Sequence, residues 1–128
     1  MYSIDNQSRK AVYEQIIEQT ERFVLSGILA PEQPMPSVRS LSLDLSVNPN
    51  TIQKAYAELE RRGVIYISPG KGSFVSSGAK EALASDRMGK LDLIEGYARE
   101  CAWAGIEKHL VLGAVEKGYN DKNGGNGQ

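Results

Sequence analysis

Three prolines within six residues constrain the fold of this chain more than any other feature of the sequence. Pro31, Pro34 and Pro36 each lack a backbone N–H, and each disfavours helical geometry at the residue before it. No helix can therefore pass through residues 30–36, which we expect to form an extended connection. The chain is thereby divided into one element before the prolines and a larger group of elements after them.

Apolar side chains recur at helical spacing before the prolines and predict a first helix from Arg9 to Ser26, with Gly27 as its stop. The predicted buried stripe of this helix consists of Tyr13, Ile16, Ile17, Thr20 and Val24. The charged residues between them are predicted to face solvent, and these are Glu14, Glu18, Glu21 and Arg22.

Two further helices and a hairpin are predicted after the prolines. Ser37 is predicted to cap the second helix, and Asn48 to cap the third, where Pro49 can occupy the first helical position without losing a hydrogen bond. Gly63 ends the third helix. Two short runs rich in β-branched and aromatic residues, 64–67 and 73–75, then flank a glycine-rich turn and predict a β-hairpin. The fold predicted for the first 77 residues is mainly α with a small β-hairpin.

The C-terminal part predicts a short two-helix dimerisation segment over residues 78–119, followed by a disordered tail over 120–128. Residues 79–103 form its first predicted helix and residues 106–118 its second. A helix with a sparse, heptad-like apolar seam is not expected to be stable alone in water. Packing of both helices on the chain's own core, as a monomer, is the alternative. The predicted dimerisation residues are Leu91, Ile94, Ala98, Cys101, Leu110, Val111 and Ala114.

The sequence offers little for catalysis or metal binding. With one cysteine, Cys101, and one histidine, His109, the chain cannot form an internal disulfide or a cysteine-based zinc site. No nucleophile pair or cofactor loop is present, so we expect no enzymatic activity, no cofactor and no metal. The first ten residues are polar and no apolar run is long enough to cross a bilayer, which predicts a cytoplasmic protein without a membrane partner.

The outer face of the third helix carries candidate base-reading residues. With Ile52 at the centre of the buried side, Asn50 and Lys54 fall on the opposite face. A recognition helix approaches bases with its N-terminal end, where Asn and Gln can pair with adenine and Lys can donate to guanine. The candidates are Asn50, Thr51, Gln53 and Lys54. An ordinary solvated helix face is the alternative interpretation.

Two cations outside the third helix are also candidates for contacts to DNA. Arg39 lies in the first turn of the second helix, where a positive charge opposes the helix dipole, and it could instead contact guanine or phosphate. Lys71 lies between Gly70 and Gly72 in the hairpin turn, where glycines allow a phosphate chain to approach the backbone closely. An exposed surface arginine and a plain tight turn are the respective alternatives.

The net charge of −1 is low for a DNA-binding protein, although it is unevenly distributed. Residues 37–72 contain five basic and three acidic residues, a net charge of +2, whereas acidic residues prevail upstream. We therefore expect a modest affinity for phosphate that falls readily as salt rises. The same charge leaves open a second function, a protein-interaction module without DNA binding.

Several spaced motifs resemble the GntR family of bacterial regulators over about residues 11–75. They are GILAP at 27–31, MPSVRSL at 35–41, VNPNTIQKAY at 47–56, LE at 59–60, GVI at 63–65 and GKGSFV at 70–75. The remaining stretch of about 50 residues is similar to the YtrA-like subfamily, whereas other branches carry a much larger second domain. The chain departs from the family at Ser46, where glycine is usual, and at Ser42, where alanine is common.

The resemblance implies a winged helix-turn-helix that binds a palindromic operator as a homodimer, usually as a repressor. It also allows for a small-molecule effector of unidentified chemistry. Ser46 is expected to be slightly strained, and a buried Ser42 hydroxyl would need a hydrogen-bond partner. Matched position by position, the residues implied in DNA binding are Ser37, Arg39, Asn48, Asn50, Thr51, Gln53, Lys54, Gly70 and Lys71.

Overall fold

The computed structural model describes residues 1–121 and confirms the mainly α fold with a small hairpin. Its elements in chain order are α1 (Val12–Ser26), α2 (Val38–Leu45), α3 (Pro49–Arg61), β1 (Ile65–Ser68), β2 (Gly72–Val75), α4 (Ala79–Trp103) and α5 (Lys108–Asn120). The chain divides into two compact units at a point within α4. The first unit is Met1–Asp86, and the second begins at Arg87. The predicted boundary after residue 77, between a DNA-binding domain and a dimerisation segment, stays a prediction.

The first helix begins at Val12, later than the predicted start at Arg9, because the N-terminal segment is held along α1 by two glutamines. The buried Gln15 side chain accepts from the amide of Asp5 (2.9 Å) and donates to the carbonyls of Asp5 and Lys10 (3.0 Å each). Gln19 likewise accepts from the amide of Ser3 at 3.0 Å. These bonds hold backbone groups of Ser3, Asp5 and Lys10 outside the helix.

The hydrophobic core of the first unit lies between α1, α2, α3 and the hairpin. Ile16 on α1 and both Ile52 and Leu59 on α3 are completely shielded from solvent. The one-sided apolar stripe of α3 was predicted from its spacing, and burial of its residues drives the packing of this helix against α1. Buried members of the core include Ile17, Val24, Leu29, Met35, Leu41, Ala55, Tyr56, Val64, Ile65 and Val75.

The prediction that Glu21 faces solvent is wrong. Its side chain is only 5% exposed and lies 3.0 Å from Arg62, at the end of α3. Helical spacing alone placed Glu21 on the polar side of α1, because the partner that neutralises it is distant in sequence. The ion pair therefore links α1 to the end of α3.

The proline segment contains no helix, as predicted, but it is not extended throughout, because Pro31 and Glu32 form a turn in which Glu32 has φ of 67°. The segment also pairs with the hairpin. The amide of Glu32 donates to the carbonyl of Val75 and the amide of Met35 to that of Ser73, both at 2.8 Å. Strands β1 and β2 are antiparallel, with Ile65 opposite Val75 and Ser68 opposite Gly72. Proline suits such an edge position because one side of the segment needs no donor.

The second unit consists of the greater part of α4 together with α5. The bounds of α4 agree with the prediction, and its first turns place Ala79 and Leu83 in the core of the first unit. Helix α5 is shifted toward the C-terminus of the predicted range and includes Asn120, so the prediction that the disordered tail begins at Asn120 is wrong. The rest of the predicted tail, 122–128, lies outside the described residues.

Candidate nucleic-acid interface

Both helices of the central motif begin with the side-chain caps that the sequence predicted. The hydroxyl oxygen of Ser37 accepts from the amide of Ser40 at 3.0 Å, and the side-chain oxygen of Asn48 accepts from the amide of Asn50 at 2.8 Å. Each cap satisfies one of the amides that a helix start leaves without a partner. Both capping residues are exposed, so the positive ends of α2 and α3 are open to solvent.

The turn between α2 and α3 fixes the angle between these helices. Ser46 adopts the left-handed conformation, with φ of 55° and ψ of 45°, where the family usually has glycine. The buried Ser42 hydroxyl has the partner that its burial demands, since it donates to the carbonyl of Val47 at 2.5 Å. Val47 returns a bond from its amide to the carbonyl of Ser42 at 3.1 Å.

Residues 35–37 join three elements of the site. The amide of Met35 donates to the carbonyl of Ser73 in the hairpin. The carbonyl of Pro36 accepts from the hydroxyl of Tyr56 on α3 at 2.7 Å. Burial raises the pKa of Tyr56, so its hydroxyl remains protonated and continues to donate. Ser37 then starts α2. The start of α2, the middle of α3 and the hairpin are therefore held in one arrangement.

The N-terminal half of α3 presents polar side chains to solvent. Asn50, Gln53 and Lys54 are exposed and Thr51 is half-buried, whereas Ile52 between them is fully buried. The structure places the amides of Asn50 and Gln53 where they can reach a neighbouring molecule. Lys54 differs from these two because its ammonium nitrogen lies 3.9 Å from the centre of the Tyr13 ring on α1.

Apart from Lys54, the structure separates the basic residues of the motif into two groups. Arg61 and Arg62 both bind Glu58, at 2.6 Å and 2.8 Å, and Arg62 also binds Glu21. The pKa of Glu58 falls from 4.5 to about 2, chiefly because its carboxylate accepts hydrogen bonds from Arg61 and then from Arg62. These two arginines, which the sequence analysis counted with the positive charge of the region, serve an intramolecular network.

The second group of cations is exposed and lies where the sequence predicted DNA contacts. Arg39 in the first turn of α2 and Lys71 in the hairpin turn are exposed, and neither forms an ion pair within residues 1–121. Their charge is therefore available to an anionic partner. The sequence analysis counted these cations together with Arg61 and Arg62. Glu58 precedes those two arginines by three and four residues, which is the spacing at which opposite charges pair on a helix.

The hairpin tip is a tight turn built on proline and glycine. The amide of Lys71 donates to the carbonyl of Ser68 at 2.9 Å, and Gly70 has φ of 78°. Proline at the second position and a left-handed glycine at the third are typical of a type II turn. Because Gly70 has no side chain, the backbone at the tip is accessible beside the ammonium of Lys71.

The predicted dimerisation residues lie on α4 and α5, and none is buried. Leu91, Ile94 and Leu110 each leave more than half of their surface exposed. Ala98, Cys101 and Val111 are of intermediate exposure, and Ala114 is exposed. No residue of α5 is buried by the single chain. The structure of one chain does not test whether these residues pair two copies.

Within residues 1–121, no helix combines the length and the apolar composition needed to cross a bilayer. The same part of the chain contains no group of three or more His, Cys, Asp or Glu side chains that could hold a metal ion.

Comparisons with known proteins agree with this geometry. The family described as "Bacterial regulatory proteins, gntR family" matches residues 12–75. The HTH-type transcriptional repressor YtrA from Bacillus subtilis (strain 168) is 36% identical over 98% of this chain and 97% of its own length. The match to YtrA therefore includes the two C-terminal helices, α4 and α5.

Solved structures are similar in the same regions. A GntR family transcriptional regulator from Listeria monocytogenes has a TM-score of 0.68 at 33% identity, covering 89% of this chain and 98% of that one. AraR(DBD) in complex with operator ORX1 has a TM-score of 0.52 at 26% identity, covering 59% of this chain and 96% of that one. The first similarity includes the second unit, and the other involves a domain bound to DNA.

Proposed function

The chain belongs to the GntR family of bacterial regulatory proteins, and from this premise we propose that it is a sequence-specific DNA-binding transcriptional regulator. It acts as a repressor and binds a palindromic operator as a homodimer in the cytoplasm. The observation that carries the proposal is the capped, exposed start of α3, fixed to α2 and the hairpin through residues 35–37. Members of this family are transcription regulators, and we propose no catalytic activity for this chain.

The start of α3 reads bases in the major groove. Asn50 and Gln53 carry exposed amides that can pair bidentately with adenine, and Lys54 can donate to the guanine acceptors. Thr51 is positioned beside them for a shorter contact. Asn48 caps the helix, and the open amides that follow it attract a phosphate because they form the positive end of α3.

The remaining contacts flank the groove. Ser37 retains a hydroxyl hydrogen for a phosphate oxygen, because its cap uses only the oxygen as an acceptor. Arg39 donates to guanine or phosphate from the first turn of α2. At the hairpin tip, the backbone at Gly70 and the ammonium of Lys71 contact phosphates.

The homodimer is formed by the second unit. Its exposed apolar side chains need a covering surface, and a two-fold operator requires a two-fold protein. The proposed dimerisation residues are Leu91, Ile94, Ala98, Cys101, Leu110, Val111 and Ala114. Sedimentation or light scattering of the full chain at micromolar concentration should give twice the 14.0 kDa of one chain. A mass of a single chain would contradict the dimer.

Selection of bound sequences from random DNA tests the regulator proposal directly. We expect two inverted half-sites whose centres are about 10 base pairs, or a multiple of that, apart. Failure to enrich any sequence at low salt would favour the protein-interaction alternative.

Two substitutions and one control then test the contacts on the selected operator. Arg39→Ala should weaken binding by about 1–3 kcal/mol, which is the loss expected for a bidentate hydrogen bond to guanine. Lys71→Ala should reduce the slope of log affinity against log salt by about 1 per chain. The control Lys108→Ala removes an equal charge from the start of α5 and should change neither quantity. Unchanged binding by both test variants would refute the assigned contacts.

A further inference from the structure

Lys54 on α3 and Tyr13 on α1 form a cation–π contact, with the ammonium nitrogen 3.9 Å from the ring centre. We propose that Tyr13 is a positioning residue for DNA recognition, which restrains the ammonium group of Lys54 beside the start of the recognition helix. The inference rests on the proposed function, since it concerns how one base-reading side chain is prepared before DNA binds. It assigns a role to a residue that the sequence analysis placed in the core stripe.

The nearest carboxylate along α3 does not compete for Lys54. Glu58 follows Lys54 by four residues, a spacing at which lysine and glutamate on a helix can pair. Both oxygens of Glu58 already accept hydrogen bonds from Arg61, at 2.8 and 2.6 Å, and one also accepts from Arg62 at 2.8 Å. The arginines thereby occupy the carboxylate that would otherwise attract Lys54.

An aromatic partner and a carboxylate partner have different consequences for DNA binding. A carboxylate would neutralise the ammonium and would also repel an approaching phosphate. The face of the Tyr13 ring attracts the cation through its quadrupole, yet it carries no net charge. Lys54 therefore keeps its full charge and its N–H donors for guanine or phosphate while its position is restrained.

The restraint lowers the conformational cost of binding. A lysine side chain loses more rotamer freedom than most when it is fixed, and a contact that forms before binding removes part of that loss. Tyr13 is itself half-buried on α1, within the unit that contains α3, so the ring is a fixed support. An exposed cation–π contact is expected to be worth about a two- to fivefold change in affinity.

A double-mutant cycle on the full chain and the selected operator tests the proposal. We expect Tyr13→Leu to weaken binding about two- to fivefold while Tyr13→Phe, which keeps the ring, binds as the natural sequence does. In a Lys54→Met background, Tyr13→Leu should have no further effect. Equal losses in both backgrounds would show that Tyr13 acts through stability alone, and tighter binding by Tyr13→Leu would show that the ring withholds Lys54; either result overturns the proposal.

A measurement on the unsubstituted protein keeps the proposal testable if Tyr13→Leu fails to fold. The Lys54 methylene protons next to the ammonium should be shifted upfield by the ring in NMR spectra, both free and bound to the operator. Loss of that shift on binding overturns the positioning role, and persistence supports it. If the natural sequence binds no operator at all, the proposed function itself fails, which is a distinguishable result.

Discussion

In the first unit, Ile16, Ile52 and Leu59 are completely shielded from solvent, whereas in the second unit Leu91 and Leu110 each leave more than half of their surface exposed. The two units therefore use similar side chains differently. Burial of apolar surface is the main favourable contribution to folding. The first unit gains it from its own chain, and the second unit must gain it from another surface.

Helices α3 and α4 show the same difference at the level of one element. On α3 the apolar residues share one side, which packs against α1, and polar residues occupy the other side. On α4 beyond Asp86 they are spread more widely, since Leu91 and Leu93 point about 160° apart and both are more than half exposed. A helix with no shielded side is marginal in water, which is the reason for proposing that a second copy covers the second unit.

The largest effect should come from removing a core side chain of the first unit. Leu59→Ala deletes a fully buried group on α3, and we expect it to lower the free energy of unfolding by about 2–5 kcal/mol, because a cavity is added to the lost burial. Urea unfolding followed by circular dichroism measures this change.

The matched substitution in the second unit is Leu110→Ala, which deletes the same group from an exposed position on α5. At a concentration where the chain is monomeric, it should leave the unfolding of the first unit unchanged. Similar losses for both variants would remove the difference between the units.

The next effect concerns association rather than folding. Leu91→Glu places a charge on the predicted seam of α4, and we expect it to raise the dimer dissociation constant at least about tenfold, since a charge would be desolvated at the interface. Sedimentation equilibrium over a range of concentrations measures the constant.

Leu93→Glu is a close control, because Leu93 is on the same helix and is 54% exposed against 55% for Leu91. It lies outside the predicted seam and should change dimerisation less. If Leu93→Glu dissociates the dimer and Leu91→Glu does not, the heptad assignment is wrong while a dimer through α4 is retained.

The sequence predicted elements equally well in both units but predicted packing only in the first. Periodicity, Ser37 and Asn48 as caps, and Gly27 as a stop are local signals, and they located the helices to within a few residues. The start of α1 was wrong because Gln15 and Gln19 bind the preceding backbone, which no periodicity shows. In the second unit the same signals found α4, but they did not identify what covers its exposed apolar side chains, and the dimer contacts stay a prediction.

For the candidate site, residue types were predictable and their partners were not. Asn50 and Lys54 are exposed, as the helical spacing implied. The burial of Glu21 and the contact between Lys54 and Tyr13 depend on how α1 packs against α3. Such pairs join residues about 40 positions apart, and a single sequence does not reveal them.

Ion pairs extend the comparison between the units and predict a pH effect. In the first unit Arg62 links α1 to α3 through Glu21 and also binds Glu58, whereas in the second unit Arg99 binds Glu95 within one turn of α4. The folded pKa of Glu58 is about 2, below its ordinary value of 4.5. Its contribution to stability is therefore present above about pH 4.5 and is lost as pH falls toward 2.

We expect Glu58→Gln to unfold at lower urea concentration than the natural sequence at pH 6, and the difference to shrink as pH is lowered from 4.5 toward 2. Urea midpoints across this pH range measure it. Glu95→Gln, which removes the local pair of the second unit, should leave the first unit's midpoint unchanged. A constant difference for Glu58→Gln at all pH values would contradict the assigned pKa.

The smallest effect concerns two turns between neighbouring helices, the one at Ser46 between α2 and α3 and the one at Gly105 between α4 and α5. The second unit uses Gly105, with φ of 78°, while the first uses Ser46, with φ of 55°, and only glycine adopts this conformation without strain. Ser46→Gly should therefore raise the free energy of unfolding by about 0.5–1 kcal/mol, the strain relieved being partly offset by the greater freedom of glycine in the unfolded chain.

Ser40→Gly is the control for this substitution, because it makes the same chemical change at an exposed position inside α2. It should lower the free energy of unfolding by about 0.5–1 kcal/mol, since glycine is unfavourable within a helix. Opposite signs for the two variants would establish that the first unit tolerates a strained turn because its core holds α2 against α3. A loss of stability with Ser46→Gly would instead mean that the serine is favoured in the turn, and the two units would then differ in turn chemistry as well as in packing.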